Sequence, residues 1–183
     1  MKVLALGGSG GMGRFAVETS MNFENVSEIV VADINAEEAL KFANSMNEKV
    51  SGIGLDVTDI DALKIQMNKA DVVINTVGPF FKYGPPILEA AIDSGCDYLD
   101  INDDWEPTIE MLGFHDKAKS NSRTAILGMG ASPGLTNMLG AAAIKELDTV
   151  ETLYTGWTMD GATPEKESSQ SGVNAAMVHA VQQ

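Results

Sequence analysis

The chain has 183 residues, of which 44% are hydrophobic and 21% charged, a composition typical of a globular protein with one domain or one domain and part of another. Its 26 acidic side chains outnumber the 12 basic ones, and the net charge of −14 argues against nucleic acid or an anionic membrane surface as a partner. One cysteine, no Cys/His cluster at zinc spacing and no apolar run of about 20 residues predict a cytoplasmic protein without disulfide, metal site or membrane span.

Short apolar runs alternate with stretches of helical periodicity through the first 127 residues. The runs predict strands over Val3–Leu6, Glu28–Ala32, Val50–Leu55, Asp71–Thr76, Asp97–Ile101 and Thr124–Leu127. The intervening stretches predict helices over Met12–Asn22, Ala36–Asn47, Ile60–Lys69, Pro85–Ser94 and Pro107–Ser120. This alternation predicts an α/β fold of the Rossmann type, a doubly wound parallel sheet with helices on both faces.

The pattern changes after Leu127. We predict a dinucleotide-binding Rossmann domain over residues 1–134, a connecting helix within residues 135–149, and the beginning of a second, α+β domain over residues 150–183. In that last part, Val150–Trp157 alternates like a strand, and a helical pattern runs from about Val173 to the end. Because the sequence stops inside this pattern without a capping residue, we expect a truncated chain.

A glycine-rich loop follows the first predicted strand and opens the first predicted helix. Gly8, Gly10 and Gly13 form the pattern G-x-G-x-x-G. In this context Gly8 is expected to form the tight turn, Gly10 to let the backbone approach a pyrophosphate, and Gly13 to pack the helix closely on the strand. The amides and the dipole at the helix N-terminus then bind the anion. We therefore predict dinucleotide contacts from Gly8, Ser9, Gly10, Gly11, Met12 and Gly13.

An acidic residue, Asp33, lies at the end of the second predicted strand, about 20 positions after Gly13, where an acid hydrogen-bonds the ribose 2′-hydroxyl of the cofactor. The next residues, Ile34 and Asn35, include no arginine for a 2′-phosphate. This pattern favours NAD over NADP. The alternative interpretation is that Asp33 is only a turn residue after the strand.

Two later strand ends carry further cofactor candidates. Asp56 ends the third strand, where it either contacts the adenine side of the cofactor or belongs to the entry of the next helix. Val77, Gly78 and Pro79 follow the fourth strand, and Gly78 would allow the backbone to pass close to the cofactor.

Two other enzyme classes were weighed against the dinucleotide site. Ser9 and Ser132 each lie in a G-x-S-x-G pattern, as in serine hydrolases, but the first serine follows the first strand and the second precedes Pro133, which lacks the amide of an oxyanion hole. Short-chain dehydrogenases need a lysine four residues after the catalytic tyrosine. None of the tyrosines has one: Tyr83, Tyr98 and Tyr154.

Several motifs taken together resemble the N-terminal domain of the saccharopine dehydrogenase family. They are Gly8–Gly13, Asp71–Asn75, Val77–Phe80, Tyr98–Asp104 and Gly130–Asn137. The resemblance covers about residues 1–150. It implies an NAD(P)-dependent oxidoreductase that reduces an imine or oxidises a secondary amine, with an amino-acid-like substrate and a homodimer formed through a C-terminal domain.

An acidic cluster ends the fifth predicted strand, within reach of the nicotinamide that the resemblance implies. Asp100, Asp103 and Asp104 are the candidates for the acid–base group, and Asn102 and Trp105 would line the same cleft. The alternative is an acidic turn in which Asp103 or Asp104 caps the next helix. We expect the chain alone to bind cofactor without turnover. The rival function is a non-catalytic NAD-sensing module.

Overall fold

The computed structural model describes residues 1–156. Within them a parallel sheet of six strands has the order β3-β2-β1-β4-β5-β6. The strands are β1 (Lys2–Leu6), β2 (Glu28–Asp33), β3 (Val50–Gly54), β4 (Val72–Asn75), β5 (Asp97–Asp100) and β6 (Ala125–Ile126). The helices are α1 (Gly11–Ser20), α2 (Ala36–Asn44), α3 (Ile60–Met67), α4 (Phe80–Asp93), α5 (Trp105–Leu112), α6 (His115–Ser120) and α7 (Thr136–Ile144). The predicted Rossmann-type α/β fold is confirmed.

Two separate cores cover the two faces of the sheet. Side chains along β1 alternate between them, with Val3 in one core and Leu4 in the other. The first core takes Val17 from α1 and Phe42 from α2. The second takes side chains from α3, α4, α5 and α6, including Leu63. Because both faces are covered, the central strands β1, β2 and β4 contain continuous apolar runs.

Polar caps begin α2 and α3. The Asn35 side chain accepts a hydrogen bond from the Glu38 amide at 3.2 Å, and Asp59 accepts one from the Ala62 amide at 3.0 Å. Acidic residues in the first turn of each helix interact favourably with its dipole. These two caps fix where the chain turns back after β2 and β3.

Two predicted helix boundaries were wrong. α4 begins at Phe80, five residues before the predicted start, because Pro85 and Pro86 are accommodated inside the helix rather than at its first turn. The helix predicted over Pro107–Ser120 is two helices, which are separated at Gly113, the C-cap residue of α5.

The region after β6 departs further from the prediction. A wide turn, Ala131–Leu135, contains an extended Ser132 and leads into α7, which begins at Thr136 and corresponds to the predicted connecting helix. Residues 150–156 form no strand, so the part of the predicted Val150–Trp157 strand that the structure describes is wrong. The predicted helix from Val173 lies outside the described residues. No helix within residues 1–156 is long and apolar enough to cross a bilayer.

Candidate cofactor site

The glycine loop lies at the carboxyl edge of the sheet, where the strand order reverses. β1 pairs with β2 on one side and with β4 on the other. The chain moves outward through β2 and β3, and then returns to β4 on the opposite side. In open parallel sheets, such a reversal leaves a crevice at the carboxyl ends of the two central strands, and ligands bind there.

The tight turn of the loop is formed by Gly7. Its φ of +67° lies in the left-handed region, which favours glycine, and its amide donates to the Ala32 carbonyl at 2.9 Å. We predicted this turn at Gly8, one residue too late. A Cβ on Gly8 would lie 2.8 Å from the Ala5 carbonyl oxygen, so close packing on β1 requires glycine there instead.

Gly13 brings α1 into direct contact with the loop, as predicted. A Cβ at this position would overlap the Gly7 carbonyl oxygen and lie 2.6 Å from the Gly8 Cα atom. Because both neighbours are backbone atoms, they cannot move aside without displacing the turn. A Cβ on Gly10 would lie 3.2 Å from the same Gly7 oxygen, which is tight but less severe.

The N-terminus of α1 differs from those of α2 and α3. Its N-cap residue, Gly10, is extended and makes no side-chain cap, and the first turn contains no acidic residue. The first amides of a helix have no partner within the helix, so those of Gly11–Gly13 are available to an anion. The loop and helix therefore fit the pyrophosphate of a dinucleotide.

Asp33 ends β2 beside the loop, and its two carboxylate oxygens are both held. The Ser9 hydroxyl donates to Oδ2 at 2.7 Å, and the Asn35 amide donates to Oδ1 at 3.2 Å. Asp33 is partly exposed whereas Ser9 is buried. The carboxylate is therefore oriented toward the glycine loop without help from a ligand.

Arg14 is the residue of this site that sequence reasoning missed. Its Nε donates to the Ser9 carbonyl oxygen at 2.8 Å, and its Nη2 donates to Glu38 at 3.4 Å. The guanidinium carbon lies 4.7 Å from the centre of the Phe42 ring. The sequence pattern places an arginine for the ribose position directly after β2, whereas Arg14 directly follows Gly13 on α1. Its position in the loop motif was the available signal.

The segment after β4 lies on the other side of the crevice. The Thr76 hydroxyl lies 2.9 Å from the Leu6 carbonyl oxygen and 3.2 Å from that of Gly7, so it ties β4 to the glycine loop. Val77 and Pro79 are partly exposed, and Gly78 is exposed. A Cβ on Gly78 would meet no described atom within 4 Å. This segment therefore presents open backbone next to the loop.

Asp100 is the last residue of β5, and it is buried rather than exposed at the carboxyl edge of the sheet. It is 1% exposed, and its Oδ1 accepts hydrogen bonds from the amides of Gly128 at 2.7 Å and Asn102 at 3.1 Å. Burial raises its pKa. The buried Tyr98 hydroxyl lies close to this carboxylate and accepts from Asn75 Nδ2 at 3.0 Å. The described contacts make Asp100 a connector of two loops, and its role as an acid–base group stays a prediction.

The remaining residues of the acidic cluster lie in the turn before α5. Asp103 is exposed, and Asp104 is the N-cap residue of that helix. Asn102 is 1% exposed, so the expectation that it lines the cleft is wrong. Its Oδ1 accepts a hydrogen bond from the Asp104 amide at 3.0 Å, and its Nδ2 donates one to the Thr108 hydroxyl at 2.7 Å. Trp105 is 71% exposed. Within residues 1–156, no group of three or more acidic, histidine or cysteine side chains is placed to hold a metal ion.

Asp56 forms a local turn at the end of β3. It is exposed, and it accepts hydrogen bonds from the hydroxyl of Thr58 at 2.7 Å and from its amide at 2.9 Å. These bonds lower the pKa of Asp56. The contacts match the helix-entry alternative, and a contact with adenine stays a prediction.

Comparison with known proteins places these features among dinucleotide-binding proteins. Residues 3–126 match the family model described as the saccharopine dehydrogenase NADP binding domain. The chain is 28% identical over 141 residues to a saccharopine dehydrogenase-like oxidoreductase of Arabidopsis thaliana, with 70% of this chain and 31% of the relative covered. It is 26% identical over 147 residues to the carboxyaminopropylagmatine dehydrogenase of Synechocystis sp., with 75% and 36% covered.

Among solved structures, the fold is similar to apo saccharopine dehydrogenase (L-Glu forming) from Saccharomyces cerevisiae. The TM-score is 0.69 at 23% sequence identity, and the match covers 79% of this chain and 31% of that chain. The chain therefore spans about a third of the length of these three proteins.

Proposed function

The chain belongs to the saccharopine dehydrogenase family and contains its NAD(P)-binding domain, and from this premise we propose that it binds NAD for an oxidoreductase acting on carbon–nitrogen bonds. The observation that carries the proposal is the arrangement of the glycine loop, the uncapped N-terminus of α1 and Asp33 around one end of β1. Together these supply amides for a pyrophosphate and a carboxylate for a ribose hydroxyl.

Each part of the crevice has a separate task in this proposal. The amides of Gly11–Gly13 bind the pyrophosphate, and Asp33 accepts a hydrogen bond from the ribose 2′-hydroxyl. The exposed backbone of Val77–Pro79 lines the path toward the nicotinamide, where Gly78 leaves room for it. The bound reduced nicotinamide supplies a hydride to an electrophilic carbon.

The preference for NAD follows from the charge at the end of β2. A carboxylate at Asp33 is a good acceptor for a hydroxyl but repels a 2′-phosphate. The family model is named for NADP, so the preference is a property we propose for this chain rather than for the family. The Ser9 and Asn35 contacts support it, because they hold the carboxylate in place before a ligand arrives.

The assignment to carbon–nitrogen bonds is supported by the family and by one relative that is named for the dehydrogenation of a carboxylated amine. Reduction of an imine consumes a hydride at carbon and a proton at nitrogen. We assign the proton transfer to Asp103 or Asp104, which lie at the end of β5 in the turn before α5. Asp100 is given a positioning role instead, since it is buried and its Oδ1 binds two amides.

The test uses the complete polypeptide expressed from its own reading frame. NADH oxidation is followed by absorbance while a primary amine and an α-keto acid are added separately and together. If the protein reduces an imine, NADH is oxidised only when the amine and the α-keto acid are both present. Oxidation with the keto acid alone would contradict the assignment to carbon–nitrogen bonds. Tight NADH binding without oxidation by any amine and keto acid pair would favour the NAD-sensing role.

A further inference from the structure

Arg14 and Glu38 form a charged pair that is linked through Ser9 to Asp33, the residue to which the proposed function assigns the ribose 2′-hydroxyl. The Nε of Arg14 donates to the Ser9 carbonyl oxygen at 2.8 Å. The hydroxyl of the same serine donates to Asp33 at 2.7 Å. One residue of the glycine loop therefore contacts both a cation and the ribose-binding carboxylate.

Three contacts hold the guanidinium in this position. Besides the Ser9 carbonyl, it packs over the Phe42 ring at 4.7 Å and pairs with Glu38 at 3.4 Å. The Arg14 side chain is 24% exposed, so the pair is partly shielded from solvent. Arginine is the side chain best suited to bind a phosphate, because its planar fork matches two phosphate oxygens. Arg14 could thus supply the positive charge that binds a 2′-phosphate, but the guanidinium is already paired with the Glu38 carboxylate.

We propose that Glu38 sets the preference for NAD over NADP by engaging Arg14. This inference rests on the proposed function, because it concerns the same ribose position. NADP carries a phosphate where NAD carries a hydroxyl. While Glu38 engages the guanidinium, Arg14 does not offer its charge to the 2′-phosphate, which the Asp33 carboxylate repels. Without Glu38, Arg14 is free to bind it. Lys41 also contacts Glu38, at 3.3 Å, but its side chain points into solvent and is screened.

The experiment measures the affinities of NADH and NADPH by calorimetry for the purified chain and three variants. Glu38→Gln removes the charge while keeping a side chain of the same size. Glu37→Gln is the matched control, because it removes the same charge from the same turn of α2. Glu38→Gln combined with Arg14→Gln tests whether the effect depends on the guanidinium. Thermal unfolding of each variant checks that it is folded.

The readout is the ratio of the two affinities, which a general loss of loop structure would leave unchanged. Glu38→Gln is expected to shift the ratio toward NADPH by roughly fivefold or more, the size expected for a partly shielded ion pair. Glu37→Gln should leave the ratio unchanged, and the double variant should lose the shift. An unchanged ratio in Glu38→Gln, or an equal shift in Glu37→Gln, would overturn the inference but not the proposed function. Failure of the unmodified chain to bind either nucleotide would overturn both.

Discussion

The hydroxyl of Ser9 donates a 2.7 Å hydrogen bond to Oδ2 of Asp33, and this contact joins the glycine loop to the end of β2. Ser9 is buried, so the bond is shielded from competing water. The bond therefore fixes the glycine loop, proposed to bind the pyrophosphate, relative to the carboxylate proposed to bind the ribose. Such preorganisation lowers the entropy that binding costs.

Replacing Ser9 by alanine tests this preorganisation. Ser9→Ala removes one partner of Asp33, and we expect NADH binding to weaken by about 1 kcal/mol, or roughly fivefold. Calorimetry with NADH measures the change. Ser45→Ala is the control, because it removes a similar 2.7 Å hydrogen bond, to the Phe42 carbonyl, at the C-cap of α2. Equal affinities for the unmodified chain and Ser9→Ala would show that the contact does not orient Asp33.

Two glycines of the crevice should respond differently to the addition of one methyl group. Gly13→Ala forces a Cβ into the backbone of Gly7 and Gly8, so we expect the free energy of unfolding to fall by about 1–3 kcal/mol. At Gly78 a Cβ meets no described atom within 4 Å, and Gly78→Ala should leave stability unchanged or slightly raised. Denaturant unfolding measures both.

The same Gly78→Ala variant should nevertheless bind NADH more weakly, because the cofactor is proposed to pass close to the backbone at this position. Unchanged affinity would place the cofactor elsewhere.

Asp100 should influence stability through its burial. The pKa of Asp100 is higher in the folded state than in the unfolded chain. The contribution of Asp100 to the free energy of unfolding is therefore fully present below the unfolded pKa, and it is lost as pH rises through the folded pKa. Asp100→Asn abolishes this titration and keeps an oxygen for the amides of Gly128 and Asn102. We expect the variant to gain stability relative to the unmodified chain as pH rises above the unfolded pKa of about 4.

Denaturant unfolding at several pH values measures this difference. Asp100→Ala, which leaves the two amides without their acceptor, should cost about 2 kcal/mol or more at about pH 4, and this cost should shrink as pH rises and the contribution of Asp100 is lost. A pH-independent difference between Asp100→Asn and the unmodified chain would contradict the buried-carboxylate account.

Cys96 should be chemically inert in the folded chain. The thiol is buried and lies 3.0 Å from the Met67 carbonyl oxygen, and burial raises its pKa to about 11. Little thiolate is therefore present at about pH 8, and reagents have no access to it. A colorimetric thiol reagent should label the native chain far more slowly than the chain in guanidinium chloride. Equal rates in both conditions would show that the thiol is accessible.

Local patterns were sufficient to predict most of the fold, because the central strands β1, β2 and β4 contain continuous apolar runs and α2 and α3 begin at polar caps. The break between α5 and α6 was missed because Gly113 lies inside an otherwise helical pattern. The start of α4 was misplaced because proline is usually found at the first turn of a helix.

The candidate site was only partly predictable for a different reason. The glycine loop and Asp33 belong to a motif that is local in sequence. The pairing of Arg14 with Glu38 depends on how α1 packs beside α2, which no local pattern contains. Likewise, Asp100 is buried because the loop after β6 folds over it through Gly128, and the sequence around Asp100 does not reveal that cover.

The most direct test of the account is an NADH titration of the purified chain and two variants of α1. Met12→Asp places a negative charge in the first turn, where the pyrophosphate is proposed to bind. Phe15→Asp places the same charge one turn further along the helix. Both side chains are more than half exposed, Met12 at 58% and Phe15 at 56%. An acidic residue in the first turn interacts favourably with the helix dipole, so Met12→Asp should not lower the unfolding temperature. The account predicts that the unmodified chain and Phe15→Asp bind NADH, and that Met12→Asp loses at least about tenfold in affinity. An unmodified chain that does not bind NADH, or a Met12→Asp variant that binds it as tightly as the unmodified chain, would contradict the assignment of the glycine loop as the dinucleotide site.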